Sequence, residues 1–163
     1  MTTAMADQKT IYMLIGPKGV GKTHIGTLVD RSTDIVFLRV EPIWLTLQPG
    51  EDGWIKVETA IDAMFQAHNK VMIESLGIGE GFRGLLISLA KKYQIKLIRV
   101  VADLDTCLSR VKNRNKLDHI PVSDDKVIEY NNSAAIVTYD WDVEIENNRP
   151  ASDTDILNAI LSI

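Results

Sequence analysis

Gly16-Pro17-Lys18-Gly19-Val20-Gly21-Lys22-Thr23 is the stretch on which the reading of this chain turns. An apolar run over residues 11–15 stops immediately before it, and a helical pattern carrying Ile25, Leu28 and Val29 follows it. Glycines at 16, 19 and 21 let the backbone curl until successive N–H groups face one point, which makes an anion nest. A helix beginning near Lys22 adds the positive end of its dipole to the same place. The Lys22 ammonium then suits the β- and γ-phosphates of a nucleoside triphosphate, and the Thr23 hydroxyl suits Mg²⁺. The run matches G-x-x-x-x-G-K-[ST] in full, in the strand–loop–helix setting that the pattern requires. Gly16, Pro17, Lys18, Gly19, Val20, Gly21, Lys22, Thr23 and the neighbouring His24 are therefore expected to line the nucleotide.

Outward from this loop, short apolar runs alternate with helical periodicity. Residues 11–15, 35–40, 71–74, 95–101 and 143–145 read as strands, the first four nearly continuous in apolar residues, as buried parallel strands are. Between them lie helical stripes: Val57, Ile61, Met64 and Phe65; Phe82, Leu85, Leu86, Leu89 and Tyr93; Leu104, Cys107, Leu108 and Val111. A further helix is expected from about Ser123, with Val127 and Ile128 on its face. The last is expected over residues 152–161, with Ser152 as N-cap and Asp153 and Asp155 at the positive end of its dipole. This alternation predicts an α/β protein with right-handed crossovers. Residues 48–53 and 113–121 read as loops.

The 163 residues fit one domain, 1–163. A net charge of −4, from 18 basic and 22 acidic residues, argues against non-specific binding to nucleic acid or anionic lipid. The single cysteine, Cys107, sits on an apolar helix face and reads as core. The polar N-terminus has no signal-type apolar region, and no run reaches the ~20 apolar residues of a membrane span. The expectation is a soluble, cytoplasmic protein.

The order of these features resembles the small-molecule and nucleotide kinases that carry a P-loop (Walker A motif): shikimate kinase, nucleoside monophosphate kinases and the polynucleotide-kinase-like group. The resemblance covers essentially the whole chain. It implies a three-layer fold, an about five-stranded parallel sheet with helices on both faces and a small lid over roughly 113–122. It also implies ATP and Mg²⁺ as cofactors and a small-molecule hydroxyl or nucleotide as phosphoryl acceptor. Val71-Met72-Ile73-Glu74-Ser75 is similar to the family's strand ending in an acid, which implies that Glu74 helps Thr23 hold the metal or orients the acceptor. Gly77-Ile78-Gly79-Glu80-Gly81 stands where shikimate kinase has a glycine cluster. Arg110 and Arg114, four apart, resemble the arginines before the kinase lid, the first lying against adenine and the second reaching the transferred phosphate. The turn Asn147-Asn148-Arg149-Pro150-Ala151 stands where the family packs backbone on the base, which places Arg149 near the nucleotide. In the segment Arg39-Val40-Glu41-Pro42-Ile43-Trp44, Glu41 is the candidate to hold an acceptor hydroxyl and Arg39 an anion. The aspartate pair of shikimate kinase is missing there, and residues 115–121 carry only Lys116 and His119 as basic groups, which speaks against shikimate itself.

Two other readings compete. Asn115-Lys116-Leu117-Asp118 matches the guanine-specificity pattern N-K-x-D, and Glu74-Ser75-Leu76-Gly77 resembles D-x-x-G, as in a GTPase. The guanine pattern, however, should end an apolar strand, and here it follows an arginine-bearing helix. The second reading is a nucleotide-binding module or degenerate kinase without transferase activity.

Overall fold

The computed structural model describes residues 8–113, 123–135, 137–149 and 151–163. Among these, five strands form one parallel sheet in the order β2-β3-β1-β4-β5. They are β1 (Thr10–Ile15), β2 (Val36–Phe37), β3 (Lys70–Ser75), β4 (Gln94–Val101) and β5 (Val143–Glu146). The helices are α1 (Lys22–Ser32), α2 (Glu41–Leu45), α3 (Gly53–Met64), α4 (Gly79–Ala90), α5 (Leu104–Asn113), α6 (Asp124–Ala135) and α7 (Asp153–Leu161).

Period-two alternation on the central strand explains the layers. Tyr12 and Leu14 pack with Ile25, Leu28, Val29, Ile156 and Ile160 of α1 and α7 on one face. Ile11, Met13 and Ile15 pack with Val57 and Ile61 of α3 and Phe82, Leu85 and Leu89 of α4 on the other. Every residue of β1 is buried, which is why it reads as a continuous apolar run. Cys107 is buried with the first cluster, as its helix face implied, and burial pushes its thiol pKa up.

β1 lies between β3 and β4, with Ile15 level with Ser75 on one side and Arg99 on the other. The chain leaves β1 for β2 on one side and reaches β4 and β5 on the other, so the strand order reverses at this point. In open α/β sheets the crevice outside the carboxyl ends of strands at such a switch point is where ligands bind.

The structure departs from the sequence reading at the second strand. The expected strand over 35–40 shrinks to Val36–Phe37, paired only with Val71 and Met72, and one more bond runs from the Leu38 N–H to the Met72 carbonyl (2.9 Å). The chain then turns at Val40 into α2, with Pro42 in its first turn. A five-residue helix is too short to show a stripe, although Glu-Pro at a helix start is a recognisable signal. α3 starts at Gly53, the last residue of the expected loop; the Asp52 carboxylate caps it by accepting from Trp54 N–H (2.9 Å) and Ile55 N–H (3.3 Å). Ser152 caps α7 as expected, accepting from Asp155 N–H at 3.1 Å.

Candidate active site

The loop between β1 and α1 begins as an extension of the sheet: the Gly16 N–H donates to the Ser75 carbonyl at 3.2 Å. It then curls through two left-handed residues, Gly19 (φ 82°) and Gly21 (φ 101°), the latter being the N-cap of α1. Glycine is required at 19 on two counts, because a Cβ there would also collide with the Cys107 backbone carbonyl. Among the described residues nothing accepts a hydrogen bond from the Gly19 or Gly21 N–H. Lys22 folds back over the loop, its Nζ donating to the carbonyls of Gly16 (2.6 Å) and Pro17 (2.8 Å).

Three side chains from the far part of the sequence fix this loop. Asn131 of α6, buried, accepts from the Lys18 N–H (2.8 Å) through Oδ1 and donates to the Lys18 carbonyl (3.3 Å) through Nδ2. Asn147, after β5, donates to the Val20 carbonyl (2.8 Å) and accepts from Ala151 N–H (2.9 Å). Arg110 of α5 donates through Nη1 to the Gly19 (3.3 Å) and Val20 (3.2 Å) carbonyls and through Nη2 to those of Asn147 (2.6 Å) and Asn148 (3.4 Å). Its guanidinium fork therefore ties the loop to the turn after β5.

Beside the loop, at the end of β3, Glu74 is only 5% exposed, and the Thr23 hydroxyl donates to its Oε2 (3.0 Å) and lies 3.3 Å from Oε1. Burial pulls the Lys22 ammonium pKa down to about 8. Glu74 acts in the opposite direction, and Lys18 adds to the fall. The donor set fits a Mg²⁺-bound polyphosphate: open amides at the loop, a buried ammonium, and a hydroxyl next to a carboxylate, since Mg²⁺ needs only one or two carboxylates besides phosphate oxygens and water.

A cavity of about 370 Å³ opens from this point. It is lined by Lys18, Gly19, Gly21, Lys22, Thr23, His24 and Arg110 from the loop, α1 and α5, and by Val40, Glu41, Trp44, Trp54, Val57, Ile73, Glu74, Ser75, Leu76, Ile78 and Leu85 from α2, α3, α4, the end of β3 and the segments beside them. The indoles of Trp44 and Trp54 meet edge to face, 5.1 Å between centroids at 78°, and Trp54 stands against Phe82 at 6.2 Å and 61°. Further along, the Tyr139 hydroxyl donates to the Gly77 carbonyl (2.9 Å), fixing the turn that leads into α4.

Of the sequence candidates, Lys22, Thr23, Glu74, Glu41, Lys18, Gly19, Gly21, His24 and Arg110 all line the cavity. Gly16, Pro17 and Val20 shape the loop behind it, through the carbonyls that receive Lys22, Arg110 and Asn147. His24 is exposed and lies 3.9 Å from Asp153 of α7. Arg149 is exposed and is not among the described residues that line the cavity. Arg110, expected against adenine, lines the cavity while its donors point at four backbone carbonyls. Arg114, Lys116, His119, the N-K-x-D pattern and the rest of the expected lid from 114 onward lie outside the described residues. Asn131 and Trp54 carry no motif and were not singled out by the sequence. A buried Asn in the middle of a helix is a signal only once its partner, the backbone of Lys18, is known.

No protein-family model matches the sequence, and no curated protein matches it. Solved structures do. The chain is similar to a shikimate kinase from Acinetobacter baumannii solved with shikimate, at 22% identity and TM-score 0.58, covering 95% of this chain and 94% of that one. It is similar to a sugar kinase from Janibacter, at 15% identity and TM-score 0.65, covering 95% and 93%. It also matches a chain of an RNA repair complex, at 13% identity and TM-score 0.68, over 81% of this chain and 46% of that longer one. The chain has the fold of the P-loop kinases: an all-parallel five-stranded sheet with helices on both faces. Among the described residues no helix is long and apolar enough to cross a membrane.

Proposed function

We propose that this chain is an ATP-dependent phosphotransferase that moves the γ-phosphoryl group to a hydroxyl of a small molecule. The observation that supports it most is the shape of the site. The phosphate loop, with its lysine and threonine and the buried Glu74 bonded to that threonine, lines a cavity that Glu41, Trp44, Trp54 and apolar residues of α3 and α4 line as well. An acid and two indoles beside the phosphates give an acceptor hydroxyl a place to sit.

Mg·ATP supplies the phosphoryl group and, through the metal, part of the charge neutralisation. The Gly19 and Gly21 amides and the first turn of α1 bind phosphate oxygens. Lys22 leaves the Gly16 and Pro17 carbonyls to neutralise charge as transfer proceeds. Thr23 and Glu74 hold the metal. Glu41 or Glu74 orients the acceptor hydroxyl and takes its proton. Arg110 keeps the loop in shape through the Gly19 and Val20 carbonyls, and Arg114 adds a second positive charge at the transferred group. His24 and Arg149 lie toward the nucleoside end. Positioning and fixed charge supply most of the catalysis in this class of reaction.

The test is ADP release from Mg·ATP against a panel of hydroxyl compounds, including an oligonucleotide with a free 5′-hydroxyl. Acceptor-stimulated release that Lys22→Ala eliminates supports the reading. ATP binding with no stimulated release by any acceptor would leave a nucleotide-binding module, and a strong preference for GTP would restore the GTPase reading.

A further inference from the structure

Resting on that phosphotransferase reading, we propose that the acceptor is a small, uncharged alcohol carrying a flat ring, seated against Trp44 and Trp54. The charges around the cavity are divided unevenly. The cationic residues that line it among those described, Lys18, Lys22, His24 and Arg110, all belong to the phosphate loop, to α1, or to the arginine bonded to that loop. The rest of the lining, from α2, α3, α4 and the end of β3, offers Val40, Trp44, Trp54, Val57, Ile78 and Leu85, with Glu41 and Glu74 as its ionisable groups. A carboxylate or phosphate on the acceptor would lose water against apolar surface and face two acids, with no cation among the described residues of that part of the lining to receive it.

The tryptophans argue for a ring. Both are half-buried, so each leaves indole surface facing the cavity while its other side is packed. Their mutual edge-to-face contact and the Trp54–Phe82 contact hold the planes in place before any ligand arrives. Room for them comes from glycine: a Cβ at Gly53 would run into the Trp44 ring, and one at Gly81 into the Trp54 ring. Fixed indole surfaces bind flat rings by stacking, with little demand on hydrogen-bond pattern.

Size supplies the third constraint. At about 370 Å³ the cavity is near the low end of ligand pockets, and part of it lies beside the phosphate loop. What remains admits one ring system with its hydroxyl. In the reaction the acceptor oxygen bonds phosphorus, the bond from phosphorus to the ADP oxygen breaks, and the hydroxyl proton passes to Glu41 or Glu74.

The test uses the full chain carrying Trp141→Phe, which leaves Trp44 and Trp54 as its only tryptophans. Tryptophan fluorescence is titrated with uridine and 2-phenylethanol as neutral ring alcohols, with shikimate and gluconate as anionic hydroxy acids, and with glycerol as a ringless alcohol. The same compounds are assayed for ADP release with Mg·ATP. The ring alcohols should quench and bind at least tenfold more tightly than the anions. Trp54→Ala should raise their KM about tenfold, leave the Kd for ATP within about twofold, and be largely rescued by Trp54→Phe. Tighter binding or faster phosphorylation of the anions overturns the proposal, as does an absence of quenching by either ring alcohol. Equal weakening of ATP by Trp54→Ala also overturns it, because the donor's own base would then occupy the wall. Ring-alcohol binding without ADP release would uphold this wall and reject the phosphotransferase reading; ADP release to an anionic acceptor alone would do the reverse.

Discussion

The two sides of the cavity are built from different materials. The phosphate side is mainly backbone: eight consecutive residues whose amides and carbonyls are positioned by two left-handed glycines and three clamping side chains. The other part of the lining carries two indoles, two carboxylates and aliphatic side chains, contributed by the approach to α2, by α2, α3 and α4, and by β3 and the turn after it. A backbone site keeps its chemistry under most substitutions around it and fails only where φ or a clamp is lost. A side-chain wall changes its chemistry with each residue exchanged. One side is suited to a ligand that stays the same and the other to a ligand that differs between proteins of the same fold.

The contrast can be broken most sharply at Lys22, the lysine of the phosphate loop. Lys22→Ala should lower phosphoryl transfer on the order of 10³-fold, comparable to the loss of a main charge-stabilising donor, as read by ADP release. Survival of both ATP binding and turnover would show that the backbone cradle is not where the nucleotide sits. Next in size is a pair of glycine substitutions at matching φ. Gly50 (φ 83°) has open space around its missing Cβ, so Gly50→Ala should cost only the left-handed penalty of about 1–2 kcal/mol. Gly19→Ala adds a collision with the Cys107 carbonyl and should cost about 3 kcal/mol or more in urea unfolding. Equal midpoints for the two variants would mean that the loop yields to side chains after all.

A smaller effect is expected at Asn131. Asn131→Ala removes both bonds to the Lys18 backbone and should destabilise the fold by about 1–3 kcal/mol while weakening ATP binding without touching acceptor KM. A shift in acceptor KM instead would couple the two sides. The mildest test is pH. Lys22 titrates near 8 without ligand, and phosphate oxygens favour its ammonium, so the complex must hold that proton to higher pH. Between the two pKa values the complex binds more protons than the free protein. ATP affinity should therefore fall as pH rises through 8, by at most about tenfold per unit, with proton uptake on binding seen calorimetrically in buffers of different ionisation enthalpy. Binding of the ring alcohols should not share this dependence.

The same division decided what could be read from the sequence. Most of the strands, the faces of α3 and α4, the cap of α7 and the phosphate loop were legible because each is a local pattern: an apolar run, a period near four, or a contiguous motif. Glu74 and Arg110 became candidates through the resemblance to the P-loop kinases, which places an acid after this strand and arginines before the lid. The partners of Arg110 were not, since the carbonyls of Gly19 and Asn148 are brought to it only by folding. Asn131 lies 113 residues from the amide it holds, and Trp44 and Trp54 look like ordinary core aromatics until α2 and α3 are seen to turn them toward the same space. The second strand was overread because its apolar run continues through the turn into α2.

Gly53 and Gly81 behave like two set screws behind the tryptophan wall. One added methyl at either position must displace the indole resting on it, and so alter the space available for a guest, while the phosphate loop on the other side of the cavity is left as it was. A chain built this way is able to trade one guest for another by single-residue steps hidden from solvent and remote from the transferred group, keeping its energy source constant while its chemistry is redirected.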